Sequence, residues 1–275
     1  NQLPEAEFRK TLNALFPPTN TSQTDWQKIA CALAARSAFS IVTGGPGTGK
    51  TTTVVRLLAL LQSIALTQDS GRPLQIRLAA PTGKAATRLK ESISGAIDKL
   101  PAFVQENVAL KASIPSEVTT LHRLLGTRPD SRLFRHDARN PLPLDVLVID
   151  EGSMVDLEMM AALLLALPPH ARLVVLGDKD QLASVEAGSV LGELCRRAHQ
   201  GHFLPETAQW IEASIGEKVD TALLDESGLP LDQHIVMLRE SRRFDASSGI
   251  GQLAAAVNAG DSARIHAVWA NGYGD

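Results

Sequence analysis

The sequence has few cysteines, few aromatic residues and no long apolar run. Its two cysteines, Cys31 and Cys195, lie far apart and away from any histidine cluster. This usage excludes a disulfide-stapled fold, argues against a zinc site and suits a reducing compartment. No apolar run approaches the roughly 18 residues that a membrane span needs, and the N-terminal residues lack the pattern of a secretion signal. We therefore expect a cytoplasmic protein that does not enter a membrane.

The sequence also lacks a surplus of positive charge. Lysine and arginine total 27 against 30 acidic residues, and this net charge of −3 argues against a protein that coats nucleic acid. The charge is nevertheless segregated: residues 72–90 hold five basic side chains and no acid, residues 121–139 hold five arginines, and residues 205–232 hold seven acids and one lysine. Most charge runs are solvated faces. The other interpretation is a basic surface for a polyanion beside an acidic insertion, and charge alone does not decide between them.

Short apolar runs alternate with helical stretches along most of the chain. The pattern predicts strands at Phe39–Thr43, Gln75–Ala79, Asp145–Asp150, Arg172–Gly177 and His234–Leu238. It predicts helices at Lys50–Gln68, Gly83–Lys99 and Asp156–Leu167. Buried strands that alternate with helices favour an α/β fold, in which a mostly parallel sheet carries helices on both faces.

Changes in composition divide the chain into segments. Residues 1–24 are predicted to be a tail or the end of an upstream domain, because Pro17 and Pro18 interrupt any regular pattern before the first helix. The remaining divisions are a main domain at 25–200 with a small insertion at about 101–143, an acidic insertion at 201–232 and the beginning of a further unit at 233–275.

A glycine-rich loop between the first predicted strand and the next helix fits the phosphate-binding pattern G-x-x-x-x-G-K-[ST]. Glycines let backbone N–H groups turn inward around an anion, and the start of the helix adds its dipole. In this pattern Lys50 would reach the β- and γ-phosphates of ATP, and the Thr51 hydroxyl would hold Mg²⁺. The residues predicted to bind the nucleotide are Gly45, Pro46, Gly47, Thr48, Gly49, Lys50, Thr51 and Thr52.

Two adjacent carboxylates stand at the end of the apolar run that begins at residue 145. Asp150 would hold Mg²⁺ through water, and Glu151 would orient and deprotonate the attacking water. A kinase does not need the second carboxylate, so the pair favours hydrolysis over phosphoryl transfer to a metabolite. Gln181 follows the next buried strand and would contact the γ-phosphate. We therefore predict Lys50, Asp150, Glu151 and Gln181 as catalytic residues.

Taken in order, these motifs resemble those of superfamily 1 helicases. The matching segments are 44–53, 79–86, 119–125, 150–154, 176–182 and 238–244. The segments 78–86, 177–188 and 249–261 most resemble the RecD family, the alpha subunits of exodeoxyribonuclease V, and the likeness covers residues 22–262. The resemblance implies a RecA-like P-loop NTPase domain and, at 233–275, the start of a second one. It further implies ATP-driven 5′-to-3′ movement along single-stranded DNA, in break repair and recombination, with RecB- and RecC-like partner subunits.

The resemblance also assigns roles to residues. Gln27 stands where this group reads adenine, although a glutamine in an amphipathic helix is also an ordinary surface residue. Arg243 aligns with the catalytic arginine that reaches the γ-phosphate, and the neighbouring Arg242 is an alternative. His122 would bind DNA, or else is a packed or solvent histidine. The full set of implied DNA contacts is Pro81, Thr82, Gly83, Lys84, Thr120 and His122.

The chain departs from that group in three respects. Motifs V and VI do not appear, which predicts a fragment with one complete motor domain, the opening of a second, and weak ATPase activity on its own. Gly152 stands where the group usually has alanine, and we expect this small change to leave the chemistry intact. No acidic cluster is arranged as a nuclease site.

Two other classes of function remain open from the sequence. One is a P-loop ATPase or kinase that does not act on DNA, which would leave segments 81–84 and 120–122 unexplained. The other is an assembly subunit that uses ATP as a switch, and the complete set of catalytic residues argues against it. The segment Gly249–Ala254 fits the dinucleotide pattern G-x-G-x-x-A but does not follow a strand, so we interpret it as the start of a helix.

Overall fold

The structure is a computed structural model that describes residues 5–18, 23–68, 71–128, 131–181, 190–240, 249–258 and 260–271. The strands are β1 (Phe39–Thr43), β2 (Ile76–Ala80), β3 (Val118–Thr120), β4 (Thr127–Arg128), β5 (Ser131–Phe134), β6 (Val146–Ile149), β7 (Arg172–Gly177) and β8 (Ile235–Met237). The helices are α1 (Glu5–Leu15), α2 (Trp26–Arg36), α3 (Lys50–Thr67), α4 (Gly83–Ile97), α5 (Ala102–Glu106), α6 (Val108–Ser113), α7 (Leu121–Leu125), α8 (Leu157–Ala166), α9 (Val190–Leu194), α10 (Pro205–Ile215), α11 (Gly249–Asn258) and α12 (Ser262–Asn271). Within these ranges no helix is both long and apolar enough to cross a bilayer.

Six strands form one sheet in the order β3-β2-β6-β7-β1-β8, and each neighbouring pair in it is parallel. The central strand β6 is buried on both faces: Val146 and Val148 lie in one core, whereas Leu147 and Ile149 lie in the other. A strand buried on both faces needs apolar residues at every position, which is why these strands are continuous apolar runs in the sequence. The predicted α/β fold with a mostly parallel sheet is confirmed.

Helices cover both faces of the sheet. The core on one face includes residues of α1, α2, α3, α4 and α10, and the core on the other includes residues of α7, α8 and α9. Asp25 caps α2 by accepting hydrogen bonds from the backbone N–H groups of Gln27 and Lys28, as its position in the sequence predicts. Asp156 caps α8 in the same way, through the N–H of Met159.

Because the strands are parallel, their carboxyl ends meet at one edge of the sheet, which we call the carboxyl edge. The loop before α3, the turn before α4 and the residues after β6 and β7 all lie there. The opposite edge, where these strands begin, we call the amino edge. In open α/β sheets, ligands bind at the carboxyl edge.

The predicted insertion at about 101–143 is only partly separate from the main sheet. Strand β3 falls inside that segment, yet it pairs in parallel with β2 and forms one end of the six-stranded sheet. Strands β4 and β5 form a distinct antiparallel hairpin after α7. The hairpin is therefore separate from the six-stranded sheet, whereas the first part of the segment completes that sheet.

The predicted tail at residues 1–24 contains a packed helix. Helix α1 contacts α3 and α10 and buries Phe8, Leu12 and Leu15 in the same core as the sheet. Arg9 also donates a hydrogen bond to the carbonyl oxygen of Ala213 in α10. The helix is thus part of this core rather than a free tail, while the division of the chain into domains stays a prediction.

The segment predicted to start a further unit at residue 233 contains strand β8. Strand β8 pairs in parallel with β1 over Ile41–Thr43, so it belongs to the six-stranded sheet. Immediately after it, the N–H of Leu238 donates to the carbonyl oxygen of Thr43 at 2.8 Å. A short apolar run cannot reveal from its sequence which sheet it joins, and here the backbone hydrogen bonds decide.

The acidic segment is held by its own hydrogen bonds and ion pairs. His202 Nδ1 lies 2.7 Å from the carboxylate of Asp225, and Arg197 lies 3.5 Å from Asp225 and 3.3 Å from Asp232. Hydrogen bonds from Ser227 and from His202 lower the pKa of Asp225 to about 2. Several of the acids in this segment are therefore structural.

Candidate functional site

The glycine-rich loop joins β1 to α3 at the carboxyl edge. Gly47 and Gly49 have positive φ angles of 79° and 88°, which are strained for any residue with a side chain. A Cβ at Gly49 would also overlap the amide group of Gln27. Thr48 donates its hydroxyl to the Gly45 carbonyl at 2.9 Å, which closes the loop. The sequence pattern thus corresponds to a real requirement for glycine at position 49.

Gln27 lies against this loop and is not a surface residue. Its side-chain nitrogen Nε2 donates to the Thr48 carbonyl at 3.0 Å, and only 4% of the residue is exposed. Its oxygen Oε1 is buried and has no hydrogen-bond partner among the described residues. A buried acceptor of this kind is costly to leave unpaired, and it suits an amino group such as that of adenine. The assigned role in adenine binding stays a prediction.

Lys50 starts α3, and its ammonium turns back over the loop. Its Nζ donates to the carbonyl oxygen of Gly44 and, at 3.1 Å, to that of Gly45. Desolvation raises the pKa of Asp150, and the positive charge of Lys50 offsets a part of this increase. Thr51 and Thr52 follow in the first turn of α3, where free N–H groups and the helix dipole favour an anion.

Asp150 and Glu151 follow β6 directly. Burial raises the pKa of Asp150, and the charge of Glu151 raises it further, against the lowering effects of the Glu151 backbone N–H and of Lys50. A nearby cation such as Mg²⁺ would favour the charged form of this carboxylate. Glu151 has a φ of 54°, in the left-handed region that non-glycine residues rarely adopt. Such backbone conformations cluster at functional sites.

A hydrogen bond that the sequence did not predict joins the turn after β6, which contains Glu151, to Gln181 after β7. Ser153 is buried, and its hydroxyl donates to Oε1 of Gln181 at 2.9 Å. The two turns are in close contact, because a Cβ at Gly152 would lie 2.5 Å from Val175 and one at Gly177 would lie 3.3 Å from the backbone nitrogens of Gly152 and Ser153. A serine two residues after a predicted catalytic carboxylate carries no sequence signal for this role.

The alanine that superfamily 1 helicases usually have at position 152 would be crowded in this structure. The nearest atoms to an added Cβ are Cγ1 of Val175 and the carbonyl oxygen of Leu176, at 2.5 and 3.1 Å. A glycine here lets the turn after β6 rest directly on β7. The change from alanine therefore affects packing more than our sequence interpretation assumed.

One cavity of about 580 Å³ connects the predicted catalytic residues to the predicted DNA contacts. Thr51, Asp150, Glu151 and Gln181 line one part of it, and Thr82 and Lys84 line another, together with Arg88 and Ser92 of α4. The sequence predicted these groups as separate motifs. The structure brings them together because β1, β2, β6 and β7 end at the same edge of one sheet.

The threonines predicted to contact DNA both cap helices. Thr82 accepts from the N–H of Ala85 at the start of α4, and Thr120 accepts from the N–H of Arg123 at the start of α7. Pro81, Thr82 and His122 line a second, smaller cavity of about 130 Å³. Gly83 is the first residue of α4 and has open space around its Cα.

His122 is exposed and lies against the hairpin. Its ring meets that of Phe134 edge-on, with centroids 6.1 Å apart. Both residues also line a further cavity of about 580 Å³ between the hairpin and α8. His122 is therefore neither buried in the core nor isolated in solvent, and its role in DNA binding stays a prediction.

The basic run at 72–90 does not form one surface. Arg72 lies at the amino edge, where it donates to Asp145 at 3.0 Å. Lys90 pairs with Glu117 at 2.7 Å. Lys84, by contrast, lies at the carboxyl edge in the cavity beside the carboxylates. Arg72 and Lys84 therefore do not share one basic surface, because β2 carries the chain from one edge of the sheet to the other.

Some predicted site residues lie outside the described residues. These are Arg243, its alternative Arg242 and most of the segment 238–244. Arg239, from the same segment, lies with its guanidinium over the ring of Trp26, 5.0 Å from its centroid, and donates to the His199 carbonyl at 2.9 Å. The G-x-G-x-x-A match lies within helix α11 (Gly249–Asn258); the residues before it lie outside the described residues, so the start of a helix at this match stays a prediction.

The parallel sheet, the glycine-rich loop before α3 and the paired carboxylates after β6 define a RecA-like P-loop NTPase. Residues 27–187 match the family model described as "AAA domain". The match covers more than half of the chain, and the protein belongs to that family.

Within it, the chain is similar to RecD proteins. It is 47% identical over 254 residues to the RecBCD enzyme subunit RecD of Haemophilus influenzae, which covers 92% of this chain and 38% of that protein. It is 43% identical over 247 residues to the RecBCD enzyme subunit RecD of Mycolicibacterium smegmatis, with 90% and 37% covered. Similarity to the ATP-dependent RecD2 DNA helicase of Deinococcus radiodurans is 35% over 206 residues, with 70% and 24% covered. The chain thus spans less than two fifths of the length of these relatives.

Proposed function

We propose that this protein is an ATP-dependent motor that moves 5′ to 3′ along single-stranded DNA, as a cytoplasmic subunit of an exodeoxyribonuclease V-type complex with RecB- and RecC-like partners. One observation carries the proposal: Thr51, Asp150, Glu151 and Gln181 share a cavity with Thr82 and Lys84 of the predicted DNA motif. The similarity to RecD and RecD2 proteins supports it. The second carboxylate, Glu151, favours hydrolysis over phosphoryl transfer to a small molecule.

The residues of the nucleotide site divide the work of hydrolysis. The loop before α3 and Lys50 would hold the β- and γ-phosphates, and Gln27 would accept a hydrogen bond from the adenine amino group. Thr51 and Asp150 would hold Mg²⁺, which neutralises charge on the phosphates. Glu151 would orient the attacking water and accept its proton. Arg243 would supply a planar cation to the γ-phosphate.

Coupling to DNA would run through the turns that meet at the carboxyl edge. Gln181 contacts Ser153, which is two residues from Glu151, so a change at the γ-phosphate would move this turn. Met154, one residue further, lines both the cavity of the carboxylates and the smaller cavity that holds Pro81 and His122. A shift of the turn would therefore reach Pro81, Thr82 and His122, which are three of the predicted DNA contacts.

The test is ATP hydrolysis by the full-length protein with Mg²⁺, measured with and without single-stranded oligothymidylate. We expect the oligonucleotide to stimulate hydrolysis. Glu151→Gln should reduce kcat by about 100-fold or more while leaving DNA binding in place, because a glutamine cannot accept the proton. Lys50→Ala should weaken nucleotide binding as well. No stimulation by DNA would contradict the proposal and favour an ATPase that acts on something else.

Direction and partners need separate measurements. Strand displacement should require a 5′ single-stranded tail and fail on a substrate with only a 3′ tail. Copurification from cells should recover RecB- and RecC-like subunits with the protein. A preference for 3′ tails, or recovery without such subunits, would overturn the respective part of the proposal.

A further inference from the structure

The five basic residues of the run 72–90 differ in the partners that the structure gives them. Arg72 and Lys90 each form an ion pair, with Asp145 and Glu117. Arg77 is the second residue of β2 and lies toward the amino edge. Lys84 and Arg88 remain, and both line the 580 Å³ cavity at the carboxyl edge. Of the five basic residues in this run, Lys84 and Arg88 are therefore the two that line the cavity at the carboxyl edge.

Lys84 and Arg88 lie on one side of α4. They are four residues apart, which places them one above the other on a helix, and Ser92 continues the same line one turn further. All three residues line the cavity. Among the described residues, neither cation has a carboxylate within 4.0 Å, although Asp150 and Glu151 line the same cavity. Two neighbouring cations without acidic partners repel each other unless an anion lies between them.

The start of α4 adds to the positive potential around these side chains. The helix is 15 residues long, and Thr82 satisfies the N–H of Ala85 in its first turn. N–H groups in the first turn of a helix have no partner within the helix, and the dipole favours an anion there. An anion near Lys84 would therefore be attracted by the N-terminus of α4, by the ammonium of Lys84 and, one turn further along the helix, by the guanidinium of Arg88.

We propose that Arg88 is a phosphate-binding residue that extends the site of Lys84 along α4. The chemistry is that of phosphate oxygens, which an arginine fork can bind through two hydrogen bonds. In the proposed function, on which this inference rests, the phosphate belongs either to the DNA strand or to the nucleotide, since the cavity borders both. Ser92 would add a hydroxyl donor at the far end of the same line.

The matched pair Arg88→Gln and Lys90→Gln tests this role on one helix. Binding of a fluorescent oligothymidylate of about 16 nucleotides is measured across a salt series, with the KM for ATP measured in parallel. If Arg88 binds the strand, its loss should weaken DNA binding about fivefold and reduce the salt slope by about 0.7. If it binds the nucleotide, the KM for ATP should rise while the salt slope is unchanged.

Lys90→Gln should change neither quantity, because Lys90 pairs with Glu117. Arg88→Lys should restore much of the salt slope but less of the affinity, since the charge returns without the fork. An Arg88→Gln protein with the melting temperature, salt slope and KM of the wild type would overturn the proposal. If the wild-type protein binds no DNA and hydrolyses no ATP, the proposed function itself fails, which is a different result.

Discussion

Both edges of the sheet carry acidic and other polar side chains, but these differ in the hydrogen-bond partners that the protein gives them. At the amino edge, Asp145 accepts hydrogen bonds from Arg72 and from the N–H of Gln75, and it lies 3.4 Å from His170. Arg172 donates there to the carbonyls at the end of α2. At the carboxyl edge, desolvation raises the pKa of the half-buried Asp150, and Oε1 of Gln27 has no hydrogen-bond partner among the described residues.

We interpret the paired groups at the amino edge as stabilising the fold, and the unpaired acceptor of Gln27 at the carboxyl edge as a group that a ligand would pair. Burying a polar group is costly unless it is hydrogen-bonded, so partners are normally supplied within the protein. Asp145 and Arg172 at the amino edge follow this rule, whereas Oε1 of Gln27 at the carboxyl edge breaks it. The left-handed backbone of Glu151 lies at the same edge.

Asp150→Asn should have the largest effect on activity and should stabilise the protein without ligands. We expect kcat for ATP to fall about 100-fold or more, because the predicted metal-binding carboxylate is lost. A raised pKa means that the charged form is penalised in the folded state, so stability declines as pH rises through the titration of this group. Asparagine removes that penalty. The gain in Tm, measured without Mg²⁺ and nucleotide, should be present at pH 7 and disappear as pH falls below the usual aspartate pKa.

Asp145→Asn is the matched change at the amino edge and should have the opposite outcome. It weakens the hydrogen bonds to Gln75 and Arg72 and should lower the free energy of unfolding by about 1–3 kcal/mol. The kcat for ATP, measured well below the melting temperature, should stay that of the wild type. A loss of kcat here, or a lower Tm in Asp150→Asn, would break the comparison between the edges.

Gly152→Ala should destabilise the protein by about 1–3 kcal/mol, because its Cβ would lie 2.5 Å from Val175. Denaturant unfolding measures this directly. Since the displaced turn carries Glu151, kcat should fall too. Wild-type stability in this variant would show that β7 yields easily, and that the close fit is not a requirement of the site.

Ser153→Ala should reduce kcat about three- to tenfold, the range expected for one neutral hydrogen bond. The KM for ATP should change little, because Ser153 does not contact the nucleotide and acts by holding Gln181. Ser153→Thr keeps a hydroxyl and, if its methyl group fits, should recover most of the rate. If alanine and threonine behave alike and Gln181→Ala is severely impaired, the hydrogen bond to Ser153 does not position Gln181.

Asp225→Asn, like Asp145→Asn, should leave kcat unchanged, because the side-chain partners of Asp225 are His202, Ser227 and Arg197 and none of them belongs to the predicted site. The lowered pKa of Asp225 means that its charged form is favoured by folding. Its stabilising effect is therefore fully present above the usual aspartate pKa and is lost as pH falls toward 2. The difference in Tm between wild type and variant should shrink over that interval. A difference that stays constant with pH would remove Ser227 and His202 as its cause.

The sequence predicted five of the eight described strands, the three helices α3, α4 and α8 and the motif positions, because these depend on local patterns. Apolar runs such as Val146–Ile149 and the cap at Asp25 carry their own signals. Pairings between distant segments carry none. The contact between Ser153 and Gln181, the burial of Gln27 and the addition of β8 to the sheet all depend on which segments meet in three dimensions.

The basic run at residues 72–90 could be interpreted only when the structure showed at which edge of the sheet each of its residues lies. Arg72 and Lys84 lie twelve residues apart in one basic run, yet β2 carries them to opposite ends of the sheet. Composition can show that a run is basic, but the partners of each cation decide whether it is structural or available. Glu117 and Asp145 are those partners for two of the five.

The placement of β8 brings the backbone of Leu238 into direct contact with the start of the glycine-rich loop before α3. The N–H of Leu238 is bonded to the Thr43 carbonyl, and the Leu238 carbonyl lies 3.0 Å from where a Cβ on Gly44 would be. Residues 239 and 240 continue the chain from this point. We therefore expect a rearrangement of this loop to displace Leu238 and the residues that continue the chain from it.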